Sequence, residues 1–138
     1  MVVLHPLGPD DSGLIGALSG EGLPAPEAGR YFSGRHDGVL AGYVGLEGEG
    51  ADLLLRSLVV AADLKARGLG SRILSAAEAA ARTLGAERLH LLTTTAEPFF
   101  TRRGFVTADR ASAPTAIRRT REFAGVCPAS AAYLTKDL

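Results

Sequence analysis

One stretch, Leu53 to Leu84, limits the possible folds most, because an apolar run enters a glycine-containing turn and leaves it with helical spacing. The run at 53–60 is apolar at nearly every position and ends in two valines, which is typical of a strand covered on both faces. After the turn, apolar residues recur every three or four positions, and Gly85 supplies a stop signal. The predicted buried stripe of this helix consists of Leu69, Ile73, Ala77, Ala80 and Leu84. Such a unit needs a further, parallel strand, and residues 88–94 fit it.

The turn between this strand and this helix has the composition of an anion-binding loop. Gly68 and Gly70 let the main chain fold tightly, and the helix start adds unpaired N–H donors and a positive dipole end. Lys65 and Arg67 add formal charge. An ordinary strand-to-helix turn with solvated cations remains the alternative for a lone pair of glycines. A P-loop is excluded because its motif is absent, and a dinucleotide fingerprint would need a glycine where Ile73 stands.

A short helix is predicted after the first strand. Asp10 or Asp11 can cap it, since each precedes an apolar pattern and carries an acceptor for the first helix amides. The predicted apolar face of the helix consists of Leu14, Ile15 and Leu18. Residues 20–29 contain glycines and two prolines, so this segment is predicted to be a loop or a broken second helix.

An antiparallel meander is predicted to precede the Leu53 strand. Asp37-Gly38 lies between two strand patterns and is a strong hairpin signal, and Gly48 and Gly50 mark the next reversal. The predicted strands are 1–7, 31–35, 39–47, 53–60, 88–94, 105–108 and 131–135, with a short helix at 97–103. We therefore expect an α/β fold with a mixed, mostly antiparallel sheet of about seven strands, one central parallel pair and flanking helices.

Length and charge narrow the class of protein. A chain of 138 residues suits one domain, 1–138, which can bury about two-thirds of its unfolded surface. Fifteen Lys and Arg balance fifteen Asp and Glu, and no basic-aromatic pattern is present, which argues against nucleic acid as a partner. Apolar runs fall short of the about 20 residues of a membrane span, and no leader pattern is seen, so we expect no membrane partner and a cytoplasmic location.

The single cysteine, Cys127, rules out an internal disulfide. His5, His36 and His90 show no ligand spacing around it, so no metal site is expected. Cys127 is interpreted as a small buried residue rather than a reactive thiolate.

Several motifs resemble one enzyme family. Residues 65–70, KARGLG, match the signature [QR]-x-x-G-x-[GA] of the GCN5-related N-acetyltransferases (GNAT), with Lys65 in the usual Gln or Arg place. The sequences LRSLVV at 55–60 and FFTRRGF at 99–105 resemble the acetyltransferase domain of N-acetylglutamate synthases. The segment 120–131 is similar to the small acetyltransferases encoded in arsenic-resistance operons. The resemblance covers essentially the whole chain.

The resemblance implies acetyl-coenzyme A as the cosubstrate. The amides of residues 65–71 would take its diphosphate, and its pantetheine arm would pair with the main chain at 58–60, where the two parallel strands are expected to splay apart. The expected cofactor-binding residues are Leu58, Val59, Val60, Lys65, Ala66, Arg67, Gly68, Leu69, Gly70, Ser71 and Phe100.

The resemblance also implies direct attack of an amine on the thioester, which needs a proton acceptor for the ammonium group. Glu47 is the first choice, its alternative being an ordinary surface glutamate at a hairpin end, and Asp52 and Glu49 are weaker rivals. Many members of the superfamily have a tyrosine that protonates the thiolate where this chain has Phe100, so solvent or the hydroxyl of Thr93 or Thr94 is expected to serve. These threonines can equally be strand-end residues with a packing and capping role.

Arg56 is the most informative residue for the acceptor. A charge within an apolar strand must meet a protein carboxylate or open onto a polar cleft, and we favour the cleft. A guanidinium binds a carboxylate, phosphonate or arsonate through two hydrogen bonds. The expected substrate-binding residues are Arg56, Ser57, Arg118 and Arg121, the last two lying in a basic segment at 114–124 whose alternative is a solvated face.

The sequence thus predicts an N-acetyltransferase, an acyltransferase that acts on the amino group of a small anionic amino acid or a toxic analogue containing arsenic or phosphorus. Acetylation of an unrelated amine or drug is one alternative. A sensor that binds acetyl-coenzyme A without turnover is another, and Phe100 is the feature that favours it. The sequence does not identify the acceptor and leaves a homodimer open.

Overall fold

A computed structural model describes residues 1–27, 29–61, 68–126 and 130–138. The strands are β1 (Val2–Leu7), β2 (Arg30–His36), β3 (Val39–Glu47), β4 (Asp52–Val60), β5 (Arg88–Thr93), β6 (Val106–Ala108) and β7 (Ala132–Asp137). The α-helices are α1 (Ser12–Gly20), α2 (Leu69–Thr83), α3 (Glu97–Thr101) and α4 (Thr115–Arg118). A 3₁₀ turn at Arg110–Ser112 and a π-type turn at Glu122–Val126 flank α4.

The seven strands form one sheet in the order β1-β2-β3-β4-β5-β7-β6. The pairs β1–β2, β2–β3, β5–β7 and β6–β7 are antiparallel, whereas β4 and β5 are parallel. The predicted α/β class, the strand number and the single parallel pair are therefore confirmed. The parallel ladder joins 52–54 to 88–90, and the predicted splaying of these strands at the cofactor stays a prediction.

By contacts the chain divides into two compact units. The first contains Met1–Glu47 and Leu55–Ala80, and the second contains Gly48–Leu54 and Ala81–Leu138. Strand β4 and helix α2 each contribute residues to both units.

In the first unit, local signals set the turns and the first helix. The Asp11 carboxylate caps α1 by accepting the N–H of Leu14 at 3.0 Å, as predicted. The turn at Asp37-Gly38 has φ values of 52° and 78°, as a type I′ hairpin turn requires. Residues 21–27 form no helix, so the loop alternative holds there.

A compact hydrophobic cluster joins α1 to the sheet of this unit. Its buried members are Leu14, Leu18, Tyr31, Tyr43 and Val59. Ile15 is exposed, so its predicted place on the buried face is wrong. Leu14 and Leu18 lie four residues apart on one stripe, and Ile15 lies to the side of it.

Helix α2 ends as predicted, with Gly85 at a φ of 94° directly after its last turn. Its predicted buried stripe is correct at the start and wrong at the end. Leu69, Ile73, Ala77 and also Leu74 and Ala81 are buried, whereas Ala80 is only partly buried and Leu84 is exposed. From Ala77 the next buried residue is Ala81, four positions on, whereas the prediction placed Ala80, three positions on. The buried face of the last turn is therefore offset from the predicted one.

In the second unit, β7 lies between β5 and β6, and its Tyr133 packs in a cluster with Leu54, Ala113 and Ile117. Phe123 meets the Tyr133 ring edge-on at 5.1 Å between centroids. The basic segment at 114–124 therefore uses its apolar residues to cover this end of the sheet. Its arginines, Arg118, Arg119 and Arg121, are exposed.

A buried histidine ties three strands of the second unit together. His90 Nε2 lies 2.7 Å from Asp52 Oδ1, and its Nδ1 lies 2.6 Å from the Tyr133 hydroxyl. Burial lowers the pKa of His90, and the hydrogen bond with Asp52 offsets part of that effect. The ring is thus neutral at pH 7, Nε2–H donates to the carboxylate, and Nδ1 accepts the Tyr133 proton.

Candidate functional site

Strand β4 contains a backbone irregularity at Ser57. Its φ is +58°, in the left-handed region, which a non-glycine residue within a strand adopts only where the surroundings impose it. The side chain is buried, with 8% of the residue exposed, and its Oγ has no hydrogen-bond partner in the described part of the chain. A strained residue with an unsatisfied buried hydroxyl is a common mark of a binding site.

Strands β3 and β4 approach each other very closely beside this irregularity. A Cβ added at Gly42 would collide with the carbonyl oxygen of Val59, so only glycine can occupy position 42. The N–H of Ala61 donates to the carbonyl of Ala41 at 2.8 Å. The main chain around Ser57 is thus held from one side by β3.

The residue before the irregularity, Arg56, forms a buried ion pair. Its Nη1 donates to Glu47 Oε1 at 2.6 Å, and the two side chains are 2% and 14% exposed. The sequence left two environments open for Arg56, a protein carboxylate or a polar cleft, and the structure shows the carboxylate. Its role in binding an acceptor stays a prediction. Glu47, the predicted proton acceptor, and Arg56, the predicted anion-binding residue, are therefore in direct contact.

Gly45 makes room for this pair. A Cβ at Gly45 would lie 3.2 Å from Arg56 Cγ and 3.0 Å from the ring of Tyr31. Tyr31 is the cross-strand neighbour of Gly45 in the β2–β3 ladder. No pattern in the sequence predicts this arrangement, because it depends on contacts between residues that are distant along the chain.

Gly68 to Ser71, the predicted diphosphate-binding residues that the structure describes, lie at the start of α2. Gly68 has a φ of 72° and is exposed, and Leu69 begins the helix with no acidic residue in its first turn. Gly70 is buried and Ser71 partly exposed. These features suit an anion at the helix start, and the role stays a prediction. Lys65, Ala66 and Arg67 lie outside the described residues, as does Cys127.

Among the other predicted cofactor-binding residues, Leu58, Val59 and Val60 lie at the end of β4 in the first unit, where Val59 is buried and the other two are partly buried. The predicted threonines and Phe100 lie in the second unit. Thr93 Oγ1 accepts the N–H of Ala96 at 3.0 Å, which is the capping role named as its alternative, and Thr94 is exposed. Phe100 is buried edge-on against Phe99 and Phe105, with ring centroids 5.0 and 5.4 Å away.

Among the rival carboxylates, Asp52 is engaged by His90, as described above, and Glu49 is exposed at the hairpin. Arg118 and Arg121 are exposed, and their part in binding stays a prediction. Among residues 1–27, 29–61, 68–126 and 130–138, no group of three or more His, Cys, Asp or Glu side chains could hold a metal ion. No helix in these ranges is long and apolar enough to cross a membrane.

Comparison with known proteins identifies the family. The family model described as "Acetyltransferase (GNAT) family" matches residues 13–105. The chain belongs to this family. Both the strand–turn–helix signature and the Arg56–Glu47 pair fall within the matched range, so the family predicted from the turn residues is confirmed.

Relatives of this GNAT chain include an amino-acid acetyltransferase of Ralstonia nicotianae. The two are 42% identical over 78 residues, which cover 53% of this chain and 17% of the relative.

Among solved structures, the N-acetylglutamate synthase of Neisseria gonorrhoeae, complexed with coenzyme A and N-acetyl-glutamate, is 25% identical. Its TM-score is 0.77, over 100% of this chain and 35% of that chain. A GNAT family acetyltransferase of Elizabethkingia anophelis with acetyl-CoA bound has 14% identity and a TM-score of 0.64, and the match covers 99% of this chain and 98% of that chain. The latter likeness shows the fold alone.

The chain therefore spans only a small part of the amino-acid acetyltransferase and about a third of the synthase. The predicted likeness to N-acetylglutamate synthases is confirmed, and the likeness to enzymes of arsenic-resistance operons stays a prediction.

Proposed function

We propose that the chain transfers the acetyl group of acetyl-coenzyme A to the amino group of a small anionic amino acid similar to glutamate. The observation that carries this proposal is the buried Arg56–Glu47 pair beside the strained Ser57. A guanidinium and a carboxylate in contact complement the carboxylate and ammonium of an amino acid. The relatives named above, an amino-acid acetyltransferase and an N-acetylglutamate synthase, support the same acceptor class.

The chemistry needs a neutral amine, a stabilised oxyanion and a leaving thiolate. Glu47 takes a proton from the ammonium group, directly or through a water molecule. The amine nitrogen then forms a bond to the thioester carbonyl carbon, the carbon–sulfur bond breaks, and the nitrogen releases its second proton to solvent to leave the neutral amide. A main-chain N–H at Leu58 or Val59, just after the irregularity, faces the developing oxyanion, and such a donor is worth about 3 kcal/mol of barrier.

The departing thiolate is protonated by solvent or by a threonine hydroxyl. Phe100 has no proton to donate, and coenzyme A is a tolerable leaving group because thiols have a low pKa. The amides of Gly68 to Ser71 hold the diphosphate at the start of α2. Arg118 and Arg121 are candidates for a second anionic group of the acceptor, which is a carboxylate or, in a toxic analogue, a phosphinate or arsonate.

A thiol-release assay tests the proposal. The protein is given acetyl-coenzyme A and a panel that contains L-glutamate, L-aspartate, the phosphinate and arsonate analogues of glutamate, and a polyamine. We expect turnover with anionic amino acids and none with the polyamine, whose ammonium groups the arginines repel. Glu47→Gln should lower kcat about a hundredfold, whereas Glu87→Gln, an exposed carboxylate of the second unit, should leave it unchanged.

The same assay addresses the alternatives. Loss of turnover in Glu49→Gln but not in Glu47→Gln would identify Glu49 as the proton acceptor. Arg118→Ala and Arg121→Ala should raise the KM of the acceptor, while Arg119→Ala, an exposed neighbour, should not. Saturable binding of acetyl-coenzyme A without turnover on any amine would support the sensor, which is favoured by the lack of a proton donor on the side chain of Phe100.

A further inference from the structure

The segment at 113–123 packs on the end of the sheet around one tyrosine of β7. Ala113 and Ile117 are buried in a cluster with Tyr133, and Phe123 meets the Tyr133 ring edge-on. The arginines of the segment, at 118, 119 and 121, are exposed. Packing around Tyr133 therefore helps to fix where three exposed cations lie.

Tyr133 is in turn held by His90. The hydroxyl lies 2.6 Å from His90 Nδ1, and the two ring planes are 5° apart. His90 is 0% exposed and Tyr133 is 3% exposed. Because burial raises the pKa of Tyr133, the hydroxyl keeps its proton and donates a hydrogen bond to the neutral ring. This bond needs Nδ1 to be unprotonated.

Protonation of the His90 ring reverses this hydrogen bond. Nδ1 then carries a hydrogen and can only donate, so the Tyr133 hydroxyl must turn its own hydrogen elsewhere. A buried donor that has lost its acceptor is costly, and movement of the Tyr133 ring towards water relieves the cost. Such a movement loosens the packing of Ile117 and Phe123.

The charged groups around His90 come from three strands. Asp52 of β4 accepts from Nε2 at 2.7 Å, and Arg88 of β5 is paired with Asp137 of β7 at 2.8 Å. Burial is the main cause of the lowered pKa of His90, Asp52 offsets part of it, and Arg88 lowers it further. The segment itself contributes apolar residues to the cluster. Because Asp52 accepts from Nε2–H in both charge states of the ring, the change is confined to the Tyr133 side.

We infer that His90 is a positioning residue for the segment at 113–123. In its neutral form the ring holds the segment on the sheet through Tyr133, and in its protonated form it lets the segment open more often. The inference goes beyond the proposed acetyl transfer and does not depend on it. With His90 free to titrate at its ordinary value in the open state, linkage makes opening about tenfold more frequent at pH 5.5 than at pH 7.5.

Methyl-labelled isoleucine gives a direct test, because the chain has three isoleucines in different places. Ile117 lies in the segment, Ile73 is buried in α2, and Ile15 is exposed on α1. The protein is titrated from pH 7.5 to 4.5 in an NMR experiment that also follows the ring nitrogens of the histidines. The Ile117 methyl signal should shift with the same midpoint as His90, and the Ile73 signal should not.

Hydrogen exchange measures the opening itself. The N–H groups of residues 117–120 are hydrogen-bonded within the segment. Their exchange, corrected for the intrinsic rate, should become about tenfold faster between pH 7.5 and 5.5.

Tyr133→Phe separates the proposed link from a general effect of a buried charge, since it removes the hydroxyl and leaves His90 able to titrate. In this variant the Ile117 response should be lost. Tyr43→Phe, at a buried tyrosine of the first unit, is the matched control and should leave the response unchanged. His90→Gln, which does not titrate, should also abolish it.

An Ile117 response that persists in Tyr133→Phe or in His90→Gln would overturn the inference, as would equal shifts of Ile117 and Ile73. A His90 ring that stays neutral throughout the titration would overturn it too. Should a variant fail to fold, the wild-type titration still decides, because Ile117 and Ile73 must respond differently. None of these measurements involves turnover, so a failure of the proposed acetyl transfer leaves them unaffected.

Discussion

Breaking the Arg56–Glu47 pair should destabilise the protein strongly. In Glu47→Gln the shape is kept, but a guanidinium whose side chain is 2% exposed loses its counter-ion at 2.6 Å. Removing one partner of a buried pair costs about 3–5 kcal/mol. Because Arg56 keeps its other contacts, we expect the lower end, about 3 kcal/mol. With an m-value of about 1.5 kcal/mol/M, the urea midpoint should fall by about 2 M.

An exposed pair of similar geometry provides the control. Arg88 Nε lies 2.8 Å from Asp137 Oδ1, but the two side chains are 49% and 80% exposed. Water screens such a pair, so Asp137→Asn should cost less than about 1 kcal/mol. The two ion pairs have similar N–O distances, 2.6 and 2.8 Å, and differ in the burial of their side chains.

A double-mutant cycle completes the experiment. Arg56→Met together with Glu47→Gln removes both charges, so its loss of unfolding free energy should be smaller than the sum of the two single losses by about 2 kcal/mol. Additive losses, or equal losses in Glu47→Gln and Asp137→Asn, would refute the reasoning that burial makes this pair strong.

Two further predictions concern stability. Because burial lowers the pKa of His90 from its ordinary 6.5, the unfolded chain binds a proton that the folded one does not once the pH falls below about 6.5. The free energy of unfolding of the wild type relative to His90→Gln should therefore decrease between pH 7.5 and 5.5, and a constant difference would contradict a buried neutral ring. Gly42→Ala should cost at least about 3 kcal/mol, since its Cβ collides with Val59, or abolish folding. Gly16→Ala, in α1 with nothing within 4 Å of the added Cβ, should stabilise by about 0.5–1 kcal/mol in thermal unfolding, and equal effects of the two substitutions would contradict the close approach.

The features that the sequence predicted well are those that depend on neighbouring residues. The Asp11 cap, the Asp37-Gly38 turn and the stop at Gly85 each follow from one or two side chains and the main chain beside them. Errors arose where distant packing decides. Leu84 and Ile15 are apolar and were expected on buried faces, yet they are 39% and 42% exposed.

The candidate site divides in the same way. Glu47 and Arg56 were each singled out by residue type and place in the pattern, but their contact spans a hairpin whose geometry the pattern does not give. The left-handed conformation of Ser57 could not be predicted, because serine rarely adopts it.

The backbone at Ser57 also limits how this protein can be redesigned. A left-handed position accepts glycine, asparagine or aspartate with little penalty and rejects branched side chains. A variant library aimed at new acceptors can therefore use only a few residue types at position 57, and a larger branched residue is excluded there.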